Sequence, residues 1–289
     1  MKDSNIMKLS HPGGKLTGRD RYRKLYHYTS FDTFLKIFYG KRLKFGDAVN
    51  MNDIMEANKR LMANLNHYPL LFALRDTLAK YRQISFTMNY DSLLKGCMSN
   101  SMWYHYGDKR NGVCLEFDFD RLVIPTNAIY GPVSYKYLLK AGIILPDEVQ
   151  TINNVEKYVR DNLKKIFFEK TIEWKYENEF RILCPNESFL NIDGAISAIY
   201  FADCESEHVK VAEKIVEDDF PIRYIDYMTE CNEITPIDNG TMSMRTKSEN
   251  IRKKHENDQT LMQQAFEFYE ANKHDEDKSL VMTGFFNLC

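Results

Sequence analysis

The segment GVCLEFDFD, residues 112–120, alternates its side chains in the manner of a half-buried strand. Val113, Leu115 and Phe117 fall on one side of an extended chain, whereas Cys114 and Glu116 fall on the other. Successive side chains of a strand point to opposite faces, so this pattern predicts a sheet with one face against a core. Further strand candidates are LYHYTS (25–30), QISFTM (83–88), PVSYKYLL (132–139), EFRILC (179–184), AISAIYFA (195–202) and PIRYIDY (221–227).

Helical spacing is clearest in FDTFLKIFYG, residues 31–40, where Ser30 can cap the first turn and Gly40 can end the helix. The other predicted helices are a segment that begins at Asn52 and the segments 70–82, 147–170 and 206–219. Helices thus come mainly from the N-terminal third and strands from the rest, without regular βαβ alternation. We therefore expect an α+β fold and not a doubly wound parallel sheet.

The chain has 289 residues, enough for one large domain with an appendage. We expect a flexible N-terminal arm (1–22), a single α+β catalytic-like domain (23–238), and a polar linker with a C-terminal helical appendage (239–289). That appendage contains the amphipathic stretch LMQQAFEFYEA, through which the protein could form oligomers. The formal net charge of −2 indicates no general attraction to nucleic acid or anionic lipid.

The expected location is the cytoplasm. No apolar run approaches the roughly 18 residues of a membrane span, so no membrane partner is expected. The six cysteines form no CxxC pair and no zinc-type spacing, which indicates reduced thiols and no metal site. The phosphate-loop and dinucleotide fingerprints are also missing from the sequence, as are HExxH and GxSxG.

The stretch WKYENEFRIL, residues 174–183, holds the strongest candidate for chemistry. If a strand begins there, Glu177, Glu179 and Arg181 share one face, and the arginine offsets the mutual rise in the pKa of two adjacent carboxylates. Such a pair suits one glutamate that stabilises an oxocarbenium-like centre and another that orients or deprotonates an acceptor. The alternative is a cross-strand ion-pair ladder with no catalytic role.

Three other groups of polar or aromatic residues lie at the ends of predicted elements. His27 and Thr29 are two residues apart on one strand, and Ser85 and Thr87 repeat this spacing on another. The stretch MWYHYGDKRNG crowds four rings before a turn. It predicts either a plug in the core or a platform on which a flat ring stacks.

These stretches, in this order, resemble the bacterial family of unknown function DUF2971 over roughly residues 24–226. The most specific pieces are Asn52-Asp53 with Glu56, Met102-Trp103 with Tyr106, Gly112 with Glu116, and Trp174 with Glu177, Glu179 and Arg181. This resemblance implies no assigned activity.

The order of the motifs is also similar to that of ADP-ribosyltransferases. These enzymes combine a first-strand His or Arg, a Ser-x-Ser/Thr strand or a pair of tyrosines around nicotinamide, and a late Glu, often in Glu-x-Glu. The resemblance implies a split antiparallel β-sheet core and NAD as the substrate. A His-type first motif usually accompanies two tyrosines, and Glu-x-Glu usually accompanies an Arg-type first motif. This chain combines them, so the acceptor stays open between a protein side chain, nucleic acid and water.

The resemblance also implies roles for individual residues. Glu179 would form a hydrogen bond with the 2′-hydroxyl of the nicotinamide ribose and stabilise the oxocarbenium charge, while Glu177 would act on the acceptor. His27, with Thr29 beside it, would bind the ribose hydroxyls of NAD. Ser85 and Thr87 would brace the pocket. Tyr104 or Tyr106 would stack on nicotinamide, and Arg181 would offset the charge of the carboxylates.

Three functions remain open on this basis. The first is an ADP-ribosyltransferase-like enzyme that consumes NAD, such as a bacterial toxin or antiphage effector. The second is a non-catalytic module that binds a nucleotide or a phage component. The third is a metal-dependent nuclease that would use Asp53, Glu56, Glu116 and Glu177.

Overall fold

The computed structural model describes residues 18–47, 68–137, 143, 145–149, 151–204, 206–216, 220–227 and 233–237. Its α-helices are α1 (Phe31–Gly40), α2 (Tyr68–Ala79), α3 (Asn100–Tyr106), α4 (Ile152–Asp161), α5 (Leu163–Phe167) and α6 (Glu207–Val216). Its strands are β1 (Lys24–Thr29), β2 (Arg42–Lys44), β3 (Gly46–Asp47), β4 (Tyr81–Met88), β5 (Val113–Asp118), β6 (Ile129–Pro132), β7 (Ser134–Lys136), β8 (Glu169–Thr171), β9 (Glu179–Pro185), β10 (Phe189–Asn191), β11 (Ile196–Phe201), β12 (Ile222–Asp226) and β13 (Glu233–Pro236).

A nine-stranded sheet carries the fold, in the order β13-β12-β11-β5-β1-β4-β9-β6, with β3 beside β4. Its neighbouring strands are antiparallel except for β11 and β12, which are parallel. Two small pairs, β2 with β10 and β7 with β8, lie outside this sheet. The predicted α+β class, with a mainly antiparallel sheet, is therefore confirmed.

The two central strands, β1 and β4, pair along only a short part of their length. β1 pairs with β5 through six residues, and β4 pairs with β9 through seven. Between β1 and β4, however, the ladder contains only Leu25–Met88 and Tyr26–Thr87. Further along, β4 pairs with β3 instead, at Gln83. The sheet consequently opens along the middle of β4, between the end of β1 and β3.

Apolar side chains cover both faces of the sheet. On one face, Phe34 of α1 and Ala212 of α6 pack with sheet residues such as Leu115 and Ile182. On the other face, one cluster gathers around Trp103 of α3, and a second joins α2, α4 and α5 to Leu183. The prediction of a half-buried β5 was wrong, because the cluster around Trp103 also covers Cys114.

Several element boundaries differ from the predicted ones. α1 matches its prediction, and Ser30 Oγ caps it by accepting from the Thr33 N–H. The predicted helix over 147–170 is instead α4 and α5, separated by Asn162 and followed by β8. Of the described helices, α3 to α6 all begin at residue 100 or later, so these helices are not concentrated in the first third of the chain.

The ends of the chain bear on the predicted domain limits. Residues Gly18–Arg21 form a 3-10 helix, and the centroid of the Tyr22 ring lies 5.3 Å from that of Phe119 and 5.1 Å from that of Phe180, so Tyr22, at the end of the predicted arm, packs against the domain. The predicted appendage over 239–289 and the helix from Asn52 lie outside the described residues. Within the described part of the chain, no helix has the length and apolar character needed to span a membrane.

Gly112 lies where β5 begins, and its backbone touches two other segments. A Cβ at this position would press on the Thr29 carbonyl oxygen and lie 2.9 Å from the backbone of Gly107. Backbone cannot move aside as the tip of a side chain can. We therefore expect Gly112→Ala to lower the free energy of unfolding by about 1–3 kcal/mol, measured by urea denaturation.

The matched control is Gly40→Ala at the end of α1, where the nearest atom to a new Cβ is 3.5 Å away. Because alanine stabilises a helix more than glycine does, this variant should be neutral or more stable by up to about 1 kcal/mol. Equal destabilisation of both variants would contradict the tight approach at Gly112.

Candidate functional site

A cleft of about 340 Å³ lies where the sheet opens between β1 and β4. It falls within the size range of small-molecule sites, at the lower end. The cleft is lined by six of the residues predicted from sequence, namely His27, Ser85, Thr87, Tyr106, Glu177 and Glu179. The opening of the sheet thus brings together side chains that are up to 152 positions apart in sequence.

Glu179 begins β9 and is buried, with four donors around its carboxylate. Arg181 binds it through two nitrogens, Nε to Oε1 at 2.7 Å and Nη2 to Oε2 at 2.9 Å. Ser85 Oγ donates to Oε1 at 2.5 Å, and Lys170 Nζ lies 3.0 Å from Oε2. Burial by itself would raise the pKa of Glu179, but the Arg181 and Lys170 charges and these hydrogen bonds hold it well below its usual range. The carboxylate is therefore ionised at neutral pH.

Glu177 is equally buried but has fewer donors. Tyr106 donates its hydroxyl to Oε1 at 2.5 Å, and Lys170 Nζ donates to Oε2 at 2.5 Å. Burial raises the pKa of Glu177; the Lys170 charge opposes this rise, and the neighbouring Glu179 charge adds to it. Two nearby carboxylates therefore differ in protonation behaviour, an arrangement typical of acid–base pairs.

The sequence had predicted that the two glutamates share one face of a strand, but they do not. Ile172–Glu177 form a 3-10 helix, and β9 begins only at Glu179. Between them Asn178 adopts a left-handed conformation with φ 44°, which asparagine tolerates better than most residues. Its side-chain amide donates to the Met88 and Asn89 carbonyls. This turn, rather than strand alternation, directs both carboxylates to Lys170.

Lys170 is the central residue that the sequence analysis missed. It lies in β8, its side chain is 5% exposed, and its ammonium contacts both glutamates. The ammonium also lies 5.4 Å from the centre of the Trp174 ring. The predicted helix over 147–170 placed this lysine at a helix end, and no motif in FFEK suggests a buried cation. Only its position shortly before the two acids offered a signal.

His27 is half-buried beside the gap in the sheet. Its Nδ1 lies 3.1 Å from the Ser85 carbonyl oxygen, which can only accept, so Nδ1 carries the proton. Burial lowers the pKa of His27, and the bond to Ser85 only partly opposes this. The ring is therefore neutral at pH 7, and its Nε2 can accept a hydrogen bond. This hydrogen bond also connects β1 to β4 beyond the end of their ladder.

The stretch MWYHY contributes one residue to the core and another to the lining of the cleft. Trp103 is fully buried and donates its Nε1 proton to the Cys97 carbonyl at 2.7 Å, so it is part of the core. Tyr106, one turn further along α3, lines the cleft and bonds Glu177. Tyr104 is 58% exposed and is not among the residues that line the cleft.

Two further residues of the predicted site lie outside the lining of the cleft. Thr29 is buried at the end of β1 and lies outside the lining of the cleft. Arg181 is fully buried behind Glu179, where it also donates to the Phe167 carbonyl. Thr87 does line the cleft, and its buried Oγ1 has no hydrogen-bond partner among the described residues.

The residues of the metal-dependent nuclease hypothesis do not form a ligand set in the described part of the chain, which holds no group of three or more His, Cys, Asp or Glu suited to a metal. Glu116 accepts from Tyr200 and Ser197, both at 2.7 Å. Asp53 and Glu56 lie outside the described residues.

Residues 102–182 match the family model described as "Protein of unknown function (DUF2971)". The chain therefore carries a DUF2971 region, and over these residues the resemblance to that family is confirmed. The match includes Tyr106, Lys170, Glu177, Glu179 and Arg181, whereas His27 and Ser85 lie before it. A search of curated proteins finds no match to this chain.

Arg181 compensates a buried carboxylate, so its removal should be costly. We expect Arg181→Met to lower the free energy of unfolding by about 3–5 kcal/mol, because Glu179 loses its two-pronged partner while it stays buried. The control is Arg82→Met on β4, where the side chain is 37% exposed and its Nε lies 3.8 Å from Asp47 Oδ1. That variant should lose less than about 1 kcal/mol. Similar losses in urea denaturation of both proteins would contradict the importance of the Arg181–Glu179 pair.

Proposed function

We propose that this chain is an ADP-ribosyltransferase-like enzyme that binds NAD in the cleft between β1 and β4. It would transfer ADP-ribose to a macromolecular acceptor, protein or nucleic acid, or to water. The observation that carries the proposal is the convergence of His27, Ser85, Tyr106, Glu177 and Glu179 on one cleft, at a split in an antiparallel sheet. The accompanying biological role is that of a bacterial toxin or antiphage effector in the cytoplasm.

The cleft would take the nicotinamide and its ribose, with the rest of the dinucleotide extending outward. The charges at and directly behind its floor balance, because Lys170 and the buried Arg181 offset Glu177 and Glu179. The floor therefore does not repel the anionic pyrophosphate of NAD as two unpaired carboxylates would. Neutral His27 can accept a hydrogen bond from a ribose hydroxyl through Nε2, as a sugar-binding residue requires.

Glu179 is suited to orient the ribose. Its carboxylate is already bonded by Ser85, Arg181 and Lys170, so a ribose 2′-hydroxyl must replace one of these donors. Ser85 is the donor that can leave most easily, since its hydroxyl rotates and its carbon chain is short. The Arg181 and Lys170 charges offset much of the negative charge of Glu179. Its contribution would therefore be the fixed position of the 2′-hydroxyl together with a modest stabilisation of the oxocarbenium ion.

Glu177 is suited to accept a proton. Burial brings its pKa closer to the working pH, and the Tyr106 hydroxyl holds one of its oxygens beside the cleft. In the proposed step, an O–H or N–H of the acceptor gives its proton to Glu177, while a lone pair of that same oxygen or nitrogen forms a bond to the ribose C1′. The bond from C1′ to the nicotinamide nitrogen breaks, and nicotinamide leaves with the bonding electrons as a neutral ring.

One observation favours the alternative of a non-catalytic nucleotide-binding module. All of the lone-pair positions of Glu179 are already used by protein donors, which describes a carboxylate that holds the fold together. Such a module would bind NAD tightly, release no nicotinamide, and keep its affinity when Glu179 is replaced.

Incubation with NAD and cell extract, which supplies an acceptor, tests the proposal directly. We expect nicotinamide release from the wild type. Glu177→Gln should lose about 10²–10⁴-fold as a general base, and Glu179→Gln at least about 10²-fold. Glu173→Gln is the control, because Glu173 lies in the same 3-10 helix but is exposed. If the wild type neither binds NAD nor releases nicotinamide with extract present, the enzyme proposal is wrong.

Tyr106 and Tyr104 provide a matched pair on one helix. Tyr106→Phe removes the hydroxyl that donates to Glu177, and loss of such a charge-assisted hydrogen bond should slow nicotinamide release by about tenfold. Tyr104→Phe makes the same chemical change at an exposed position outside the cleft and should leave the rate unchanged. Equal rates for the two variants would remove Tyr106 from the proposed site.

A further inference from the structure

A buried lysine joins the two carboxylates of the cleft. Lys170 Nζ lies 2.5 Å from Glu177 Oε2 and 3.0 Å from Glu179 Oε2, and all three side chains are at most 5% exposed. The three residues come from different elements, β8, the 3-10 helix and β9. We infer that Lys170 is a positioning residue, which keeps Glu177 in its proton-accepting form beside Glu179; the inference rests on the proposed function.

The distribution of partners shows why Glu177 depends on this lysine. Arg181 directs both its Nε and its Nη2 at Glu179, so the guanidinium is committed to that carboxylate. Glu177 has Lys170 as its ion-pair partner, and its other donor, the Tyr106 hydroxyl, is uncharged. Without the ammonium, Glu177 would be a buried carboxylate next to a second negative charge. Such a group takes up a proton.

The other titratable groups around Glu177 cannot replace this charge. Among the residues that the structure describes, they are Tyr90, Tyr106, Tyr135, Tyr176 and Glu179. Burial raises the pKa of Tyr90 to about 12, and burial also raises the pKa values of Tyr135 and Tyr176. These three tyrosines are therefore neutral near pH 7, and Glu179 is itself negative.

Loss of Lys170 has a distinctive consequence for the proposed reaction. A protonated Glu177 cannot accept the proton of the acceptor, so activity should fall in acid and recover when the pH is raised. A lysine that only supports the fold would instead lower activity by the same factor at every pH. The position of the acidic limb of the pH–rate profile therefore separates a positioning role from a structural one.

The experiment compares wild type, Lys170→Met and Lys170→Arg in nicotinamide release from NAD with cell extract, across pH 5 to 9. We expect the acidic limb of kcat to move to higher pH in Lys170→Met, with a loss that grows about tenfold per pH unit below it. KM for NAD should change little, because the lysine acts through Glu177. Lys170→Arg keeps the positive charge and should keep the limb in place. A pH-independent loss in Lys170→Met would overturn the inference.

A second measurement does not require catalysis. In protein labelled with ¹³C-glutamate, the carboxyl signal of Glu177, assigned with Glu177→Gln, should titrate at higher pH in Lys170→Met than in wild type. An unchanged titration overturns the role of Lys170 even if NAD is consumed. Conversely, a wild type that releases no nicotinamide disproves the enzyme proposal, while the carboxyl titration still tests the lysine.

The double variant Lys170→Met/Glu177→Gln covers the case in which Lys170→Met fails to fold. Replacement of Glu177 removes the carboxylate that the lysine neutralises, so the double variant should fold where Lys170→Met does not, or should have a higher midpoint of thermal unfolding where both fold. A double variant that is no more stable than Lys170→Met would show that the lysine does not act through Glu177, and would overturn the inference.

Discussion

The ion pair between Arg181 and Glu179 is the interaction on which the centre of the molecule depends. Both side chains are almost completely buried, and their two hydrogen bonds are 2.7 and 2.9 Å long. Neither charge is tolerable alone in such a place, because desolvation of an unpaired ion costs several kcal/mol. Arg181 also donates to the Phe167 carbonyl, so the pair fastens β9 to the end of α5. The position of Lys170, three residues beyond Phe167, follows from this attachment.

The second constraint is the early end of the ladder between β1 and β4. Backbone groups in the middle of β4 lose a strand partner there, and buried polar groups need replacements. His27 supplies one by donating to the Ser85 carbonyl. The Ser85 side chain turns to the other face of β4, where it donates to Glu179. One residue therefore connects the opening of the sheet to the carboxylate at the floor of the cleft.

A structural feature could be predicted from the sequence where the contacts that determine it are local in the chain. The alternation in EFRILC correctly placed Phe180 and Ile182 on the core face and Arg181 on the other, because period two is a property of the strand itself. The same reasoning failed at Glu177, since it extended the strand through Asn178, a residue that readily adopts the left-handed conformation seen there. The contacts of Lys170 and the covering of the second face of β5 depend on segments distant in sequence, and periodicity carries no information about such contacts.

The balance of charge at the site also limits how it can work. A carboxylate with four good donors is an anchor, and a ligand gains little from it unless one donor is released at low cost. Arg181 and Lys170 cannot leave Glu179 without exposing a buried charge, whereas the Ser85 hydroxyl can turn away and find another partner. Thr87 Oγ1, on the same face of β4, is a buried hydroxyl with no hydrogen-bond partner among the described residues, and it too lines the cleft. Ligand entry at this edge of β4 would therefore exchange the hydrogen bond of an uncharged hydroxyl while the buried ion pairs stay intact.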